Sequence, residues 1–339
     1  MRAAQPTIQD VARQAEVSTA TVSRTLSYPE SVSEATRRRV LAAVELTGYS
    51  VNQMARNLRK RTTGAIVVLV PNIGNPFFSR ILAGIEAAAA RSGYTVLICD
   101  TRPTGGGRPQ LAGQVRPDRA DGLISLDGAL PDDIDGPQRN GPPLIYACEW
   151  KEGSPLPSIR FDNEGGAELA VDHLVSLGHR EIGHVLGPSQ NVLSTTRRNG
   201  FLRAMRRHGL TVRDEWMIGG DFMLGSGVTA ARTWLELAER PSAMFIANDE
   251  MACGFVSELH RHGVETPRDM SVVSFDDIDI AEQFIPGLTT VHQPREGLGE
   301  AAFEALLPLM QKGGEAAPSQ QVLPATLVIR ESARKRDMV

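Results

Sequence analysis

The sequence predicts a two-part molecule: a small basic helical unit at the N-terminus, followed by a large α/β domain of parallel sheets covered by helices. Three observations carry this. Residues 1–62 hold ten Arg/Lys against five Asp/Glu, while the remainder holds 26 against 35, so the net charge of −4 conceals a +5 end on a −9 body. Apolar residues in the first 50 positions recur at helical spacing and never form a strand-like run. From Ala65 onward, short β-branched runs alternate with amphipathic stretches of helical period.

At 339 residues, with 41% hydrophobic and 22% charged residues, the chain has enough apolar mass for two or three globular domains, which excludes a disordered protein. The opening MRAAQPTIQDVARQ has no apolar core of a signal peptide, and no stretch of about 18 apolar residues follows, so a cytoplasmic location without a membrane span is expected. Cys99, Cys148 and Cys253 are far apart and lack a C-x-x-C neighbour; they read as small core residues, not as a disulfide framework or zinc site. No metal and no cofactor are expected. A compact basic unit on an acidic body is the charge pattern of a nucleic-acid reader with an independent second domain, because phosphate neutralisation supplies much of such affinity.

Within the first unit, Thr7-Ile8-Gln9-Asp10 is a helix start of the [ST]-x-x-[DE] kind, with Ile8, Val11, Ala12 and Ala15 on one face. After the short turn Ala15 to Ser18, Ser18 caps a second helix with Val22 and Leu26 inward and Thr19, Ala20, Ser23 and Arg24 outward. Two helices joined by so short a turn form a helix-turn-helix. A Tyr28-Pro29 break follows. Ser33 then caps a third helix with Val40, Leu41 and Val44 inward and Arg37, Arg38 and Arg39 solvated, ending near Gly48. Such three-helix units bind DNA, and they also serve as protein-docking modules.

The ordered motifs V-S-x-x-T-V-S-R (17–24), V-S-x-x-T-R-x-R-V (32–40) and G-Y-x-x-N-x-x-A-R-x-L (48–58) resemble the DNA-binding headpiece of the lactose-repressor (LacI) family. The resemblance implies that Thr19, Ala20 and Arg24 read base edges in the major groove of operator DNA, and that Thr7, Ser18, Thr21 and Ser23 touch phosphates. Arg24 suits guanine, because its guanidinium fork matches the paired acceptors O6 and N7. Residues 51–62, including Asn52, Ala55 and Arg56, resemble the family's hinge helix, with Leu58 as the wedge inserted in the minor groove of a bent operator. One departure stands out: Glu16 occupies a turn position where the family usually has glycine.

Strand-like runs follow at Ala65 to Val70, Tyr94 to Cys99, Gly122 to Leu126, Leu144 to Cys148, Ile182 to Leu186, Ala243 to Ala247 and Ser271 to Phe275, separated by helical stretches. This repetition implies parallel sheets buried on both faces, an arrangement that many enzymes share. Enzyme motifs are missing: there is no G-x-G-x-x-G after the first strand, no G-K-[ST] loop, no G-x-S-x-G and no H-E-x-x-H. The triglycine Gly105 to Gly107 reads as a loop, and His260-x-His262 as a solvated helix end. The competing readings, a periplasmic-type solute-binding protein and a cytoplasmic α/β enzyme, are disfavoured by the absent export signal and the absent catalytic motifs respectively.

The resemblance to the LacI family continues through this second part, whose counterpart is a two-lobed domain similar to periplasmic sugar-binding proteins. It implies a headpiece over residues 1–50, a hinge helix over 51–62 and an effector-binding, dimerising domain over 63–339. Lobe 1 is expected to take residues 63–161 and 293–322, and lobe 2 residues 162–292 and 323–339. Ligand is expected in the crevice between them, outside the carboxyl ends of the strands. Carried over by local motif, the effector-binding candidates are Phe77, Phe78, Phe161, Asp162, Arg197, Phe222, Asn248 and Asp276. Two alternatives stay open: Phe77 and Phe78 as plain core, and Asp276 as a loop cap.

Hydroxyl-binding polar groups beside aromatic faces suit a nucleoside, a sugar or a polyol. The strings AEVSTATVSRTLSYPESVS, LPSIRFDN and LTTVHQPR look closest to the cytidine-repressor branch of the family, whereas Asn191 stands where a purine-sensing relative needs an arginine. The polar tail SARKRDMV has no leucine heptads, which favours a homodimer over a tetramer.

Overall fold

The computed structural model describes residues 6–49, 62–102, 115–116, 118–136, 141–311 and 320–336, which fall into two compact units, 1–63 and 64–339. The first is helical. Helix α1 (Ile8–Gln14) starts at a capping box in which the Asp10 carboxylate accepts from Thr7 N at 2.9 Å and Thr7 Oγ1 at 2.7 Å. Helix α2 (Thr19–Ser27) starts where Ser18 Oγ accepts from Thr21 N at 3.1 Å, and α3 (Glu34–Thr47) starts at Ser33 and ends on left-handed Gly48. Val11, Ala12, Ala15, Val22, Val40 and Ala43 close the core, with Ile8, Leu26 and Val44 packed against them. Leu41, expected inward, is 50% exposed. It stands one position, about 100° of helix rotation, beyond buried Val40, so the narrow contact stripe of this short helix leaves it out.

Glu16 takes up the left-handed conformation that glycine adopts without strain, at φ 52°. This lets the chain turn between α1 and α2, with Val17 N bonded to Ala12 O at 3.0 Å. Replacing Glu16 by glycine is therefore expected to stabilise the first unit by about 1 kcal/mol, measured by thermal unfolding of the variant against the parent. An unchanged or lower stability would contradict the strain assigned to this turn.

The second unit holds two six-stranded sheets. The first joins β1 (Ala65–Val70), β2 (Thr95–Asp100), β3 (Gly122–Ser125), β4 (Leu144–Ala147), β5 (Ser158–Phe161) and β11 (Gln320–Leu323) in the order β11-β5-β4-β3-β1-β2, all parallel. The second joins β6 (Ile182–Val185), β7 (Met217–Ile218), β8 (Ala243–Ile246), β9 (Ser271–Asp276), β10 (Thr289–His292) and β12 (Thr326–Val328) in the order β12-β10-β9-β8-β6-β7. Here a wholly parallel sheet is corrected: β12 runs antiparallel to β10, since the chain re-enters at the sheet edge a few residues after leaving β11. Strand β7 has two residues, and β5 (SIRF), β10 (TTVH) and β11 (QQVL) are interrupted by polar residues, so no hydrophobic run marks them in the sequence.

The chain passes from the first sheet to the second after β5, back after β10, and across again between β11 and β12. On the first sheet pack α4 (Phe77–Arg91) and α11 (Arg295–Met310), the latter arriving from the end of β10. These two helices touch backbone to backbone. A Cβ on Gly84 would stand 2.1 Å from Glu296 O, and one on Gly299 2.1 Å from Ile81 O, so only glycine fits either place. The remaining described helices are α5 (Asp132–Asp135), α6 (Asn163–Ser176), α7 (Val192–Arg207), α8 (Leu224–Glu236), α9 (Asp249–Arg261) and α10 (Asp279–Gln283). Strands β1, β8 and β9 are buried along nearly their whole length, whereas edge strand β2 leaves Leu97 and Ile98 about half exposed. Cys148 and Cys253 are buried and Cys99 partly so; all three are free thiols. The triglycine lies outside the described residues. No described helix is long and apolar enough to cross a membrane, and no described cluster of His, Cys, Asp and Glu is arranged to hold a metal ion.

Candidate nucleic-acid interface and ligand cleft

In the first unit, Val22 and Thr25 anchor α2 in the core, with Thr25 Oγ1 bonded to Thr21 O at 2.8 Å. This turns Thr19, Ala20, Ser23 and Arg24 outward together, all exposed. Among the described residues of this unit, the ion pairs Arg13–Asp10, Arg37–Glu30, Arg37–Glu34 and Arg38–Glu34 do not involve Arg24. Thr7 and Ser18 are engaged in the helix caps, and Thr21 Oγ1 lies 2.9 Å from Ser18 Oγ. What remains on this face is a guanidinium flanked by small side chains, a shape that admits a groove edge. Asn52, Ala55, Arg56 and Leu58 lie outside the described residues.

In the second unit, a cleft of about 280 Å³ opens where the carboxyl ends of strands from both sheets meet. Phe77, Phe78, Arg197, Phe222, Asn248 and Asp276 line it together. Phe161 and Asp162 do not. Phe161 is 2% exposed in the core under the first sheet, and the Asp162 carboxylate is spent capping α6, accepting from Gly165 N at 2.9 Å. Phe77 and Phe78, in edge-to-face contact with centroids 5.2 Å apart, are both core and wall.

Arg197, on α7, is 1% exposed and held by contacts from several elements while it lines the cleft. It stacks over Phe275 at 3.9 Å and lies 5.7 Å from Phe222; Nε donates to Asn163 Oδ1 at 2.9 Å, another nitrogen donates to Ala247 O, and the nearest oxygen of Asp276 is 3.3 Å away. Asp276 also accepts from Gln293 Nε2 at 2.6 Å. Burial pushes its carboxyl up to about 7, against the pull of Arg197 and Arg295. Asn248 caps α9 through Met251 N at 3.0 Å and donates to Phe222 O at 3.0 Å, so it fixes the loop that carries the Phe222 ring. Its neighbour Asp249 turns away into the core, bonded to Thr290 Oγ1 at 2.6 Å and Ile278 N at 2.8 Å.

Backbone strain gathers at the same place. Cys148, Phe222 and Asp276 take positive φ values of 70°, 69° and 111°, each costing about 1–3 kcal/mol for a residue with a side chain. Cys148 directly follows β4 and Asp276 ends β9, while Phe222 lies in the loop after β7; Phe222 and Asp276 line the cleft, as does Glu149, the neighbour of Cys148. Glu149, Asn72, Asn75, Arg102 and Asp221 also line it, and motif reasoning missed them. Glu149 directly follows Cys148 beyond β4, so the rule that ligands bind beyond strand carboxyl ends was the one signal for it.

A larger hollow of about 410 Å³ lies near the end of β10, but its charges satisfy one another. Arg80 pairs with Asp279 at 3.0 Å and Glu296 at 2.8 Å, and Arg330 with Asp277 at 2.8 Å. The cleft holding Arg197 and Asp276 is the better ligand site, because it combines aromatic walls with convergent polar groups.

Residues 7–52 match the family of bacterial regulatory proteins called the lacI family, and residues 171–333 match the periplasmic binding protein-like domain. The HTH-type transcriptional repressor CytR of Escherichia coli (strain K12) is 39% identical over 329 residues, spanning 97% of this chain and 96% of the relative. The HTH-type transcriptional repressor PurR of Photobacterium profundum is 36% identical over 330 residues, spanning 97% and 98%. Among solved structures, the Lac repressor dimer bound to operator and the anti-inducer ONPF superposes with a TM-score of 0.81 at 30% identity, covering 98% of this chain and all of the other. The regulator CelR in complex with cellobiose gives 0.74 at 30%, covering 97% and 100%.

Proposed function

The chain belongs to the LacI family of bacterial regulatory proteins, and from that premise we propose that it is a ligand-responsive transcriptional repressor that binds a near-palindromic operator as a homodimer. The observation that carries this reading is the pairing, in one chain, of an exposed Arg24 face on a helix-turn-helix with a buried Arg197–Asp276 pair in an aromatic-walled cleft. Thr19, Ala20 and Arg24 read bases, Thr7, Ser18, Thr21 and Ser23 border phosphates, and Asn52, Ala55, Arg56 and Leu58 form the hinge that pairs on DNA. Headpiece, hinge and two-lobed effector domain then span residues 1–50, 51–62 and 63–339. The protein acts in the cytoplasm, where its operator is, and regulates without catalysing a reaction.

The effector is a nucleoside, sugar or polyol. Arg197 donates to its hydroxyl oxygens and Asp276 accepts its hydroxyl hydrogens, while Phe77, Phe78 and Phe222 supply flat apolar surface. Ligand favours one angle between the lobes, and that angle decides whether two hinge segments meet on the operator. A thermal-shift series with nucleosides, pentoses, hexoses and polyols tests this. A ligand at a hundredfold excess over its Kd adds about 2.7 kcal/mol to the folded state and raises the melting temperature by several degrees. Stabilisation by none of these classes would remove the effector assignment.

A further inference from the structure

Residues 276–279 leave the end of β9 on the second sheet, yet they are held largely from the first. Ile278 is buried in the core of the first sheet, whereas Ala281, three residues on, sits in the core of the second. Three further side chains reach the same stretch from the first-sheet half. Gln293 and Arg295 follow the crossover out of β10, and Arg80 stands on α4. Gln293 Nε2 donates to Asp276 Oδ1 at 2.6 Å, Arg295 Nη2 to Asp277 O at 3.0 Å, and Arg80 Nη2 to Asp279 Oδ2 at 3.0 Å. Arg295 Nη1 also donates to Phe77 O at 3.4 Å, so one buried guanidinium joins the start of α4 to the backbone after β9.

The stretch is strained as well as bridged. Asp276 and Asp277 take φ values of 111° and 52° in succession, with no glycine to ease the left-handed region. Such backbone persists only where its surroundings over-determine it. The second-sheet half supplies part of that support, through Arg330 Nη2 on Asp277 Oδ1 at 2.8 Å and Asp249 Oδ2 on Ile278 N at 2.8 Å. The rest comes from the first-sheet half. Hydrogen bonds and core contacts of this kind are lost once the partners separate by about 1–2 Å, so that share exists at one spacing of the two sheets only.

We propose that residues 276–279 form a clasp between the two lobes, with Ile278 as its plug and Arg295 as its clamp, and that this clasp ties the lobe angle to the placing of Asp276. The idea rests on the reading of the cleft as the effector site and names the element that couples that site to the lobes. Arg295 does not line the cleft. It is a positioning residue: through the Asp277 carbonyl it holds the turn that presents the Asp276 carboxylate. When the lobes part, plug and clamp leave together, the turn loses half of its support, and Asp276 loses its fixed bearing on Arg197. A ligand that touches Asp276 on one side and Phe77 on the other favours the closed clasp, and the closed clasp favours the ligand by the same factor.

The test uses the full-length, ligand-free protein with Cys99→Ser and nitroxide labels on cysteines replacing Asp133 and Gln190, one exposed site in each half. The labelled chain is diluted into unlabelled chain, so that each dimer carries one labelled copy, and label-to-label distances are read by electron–electron double resonance. The parent is expected to give one narrow distribution. Arg295→Met and Ile278→Ala are expected to shift it to longer distances and to broaden it roughly twofold, with the parent's circular dichroism kept. A merely structural role would lower the melting temperature of the variants and leave the distances alone. Arg295→Met keeps the stem volume, so it reports even where Ile278→Ala does not fold. An unchanged distribution in either folded variant overturns the clasp, and so does a broad distribution in the parent. No effector enters the measurement, so its failure is distinguishable from failure of the effector reading, which shows in the thermal-shift series.

Discussion

Arg197→Met is expected to abolish the effector response and to destabilise the second unit by about 3–5 kcal/mol, the usual cost of leaving one member of a buried charged pair alone. The guanidinium is the hub of the cleft: it joins Asn163 on α6, the Ala247 carbonyl after β8 and Asp276 at the end of β9, and it stacks on Phe275. Methionine keeps much of the stem volume but satisfies none of these acceptors. The loss has a pH signature. With Arg197 present, the folded-state Asp276 carboxyl is already raised to about 7 from an ordinary 3.8, so this group favours folding fully at acidic pH, and the benefit fades as pH rises through 7. Without the arginine the carboxyl rises further and is held neutral over a wider range. The deficit between variant and parent should therefore be larger at about pH 8 than at about pH 6 in urea unfolding. A loss under 1 kcal/mol, or one independent of pH, would contradict the role given to the pair.

Arg24→Ala is expected to cost about 1–3 kcal/mol of discrimination against changed base pairs, roughly ten- to hundredfold, with little effect on folding. The side chain is exposed, takes no part in the core of the first unit and forms none of the ion pairs among its described residues, so its removal leaves the helix intact. A base contact and a phosphate contact separate by their salt dependence. Loss of a phosphate contact weakens all duplexes alike and lowers the slope of affinity against salt, whereas loss of a guanine contact relaxes selectivity at one position of each half-site. Binding assays on a library of single-base operator variants, at two salt concentrations, distinguish these. Full selectivity in the variant would move base reading to other residues of α2.

What could be read from the sequence follows the length of the signals. Caps at Thr7, Ser18 and Ser33 and the apolar spacing of Val11, Val22 and Val40 located the first three helices, because capping and helical period are local. Leu41 was misjudged, since the edge of a contact stripe depends on which neighbouring helix lies beside it. Buried runs such as Ile66 to Val70 announced the long strands, whereas β7, with two residues, exists only through pairing with β6.

The cleft divides the same way. Arg197, Phe222 and Asp276 stood in recognisable motif strings. Glu149 carried no motif, and its significance lies in a bond to Asn191, 42 positions away, that only the meeting of the two sheets creates. Phe161 and Asp162 lie next to the first chain crossover, close in sequence to the cleft, but one is taken by the core and the other by a helix cap.

The measurement that tests the regulator assignment most directly is selection of the full-length protein against a random double-stranded DNA library, followed by sequencing of the bound pool. The expected result is enrichment of a near-palindrome with two equivalent half-sites, weakened by Arg24→Ala and shifted in occupancy by whichever nucleoside, sugar or polyol stabilises the protein. Enrichment of a single asymmetric half-site, or no enrichment over non-specific binding, would contradict a dimeric operator-binding regulator.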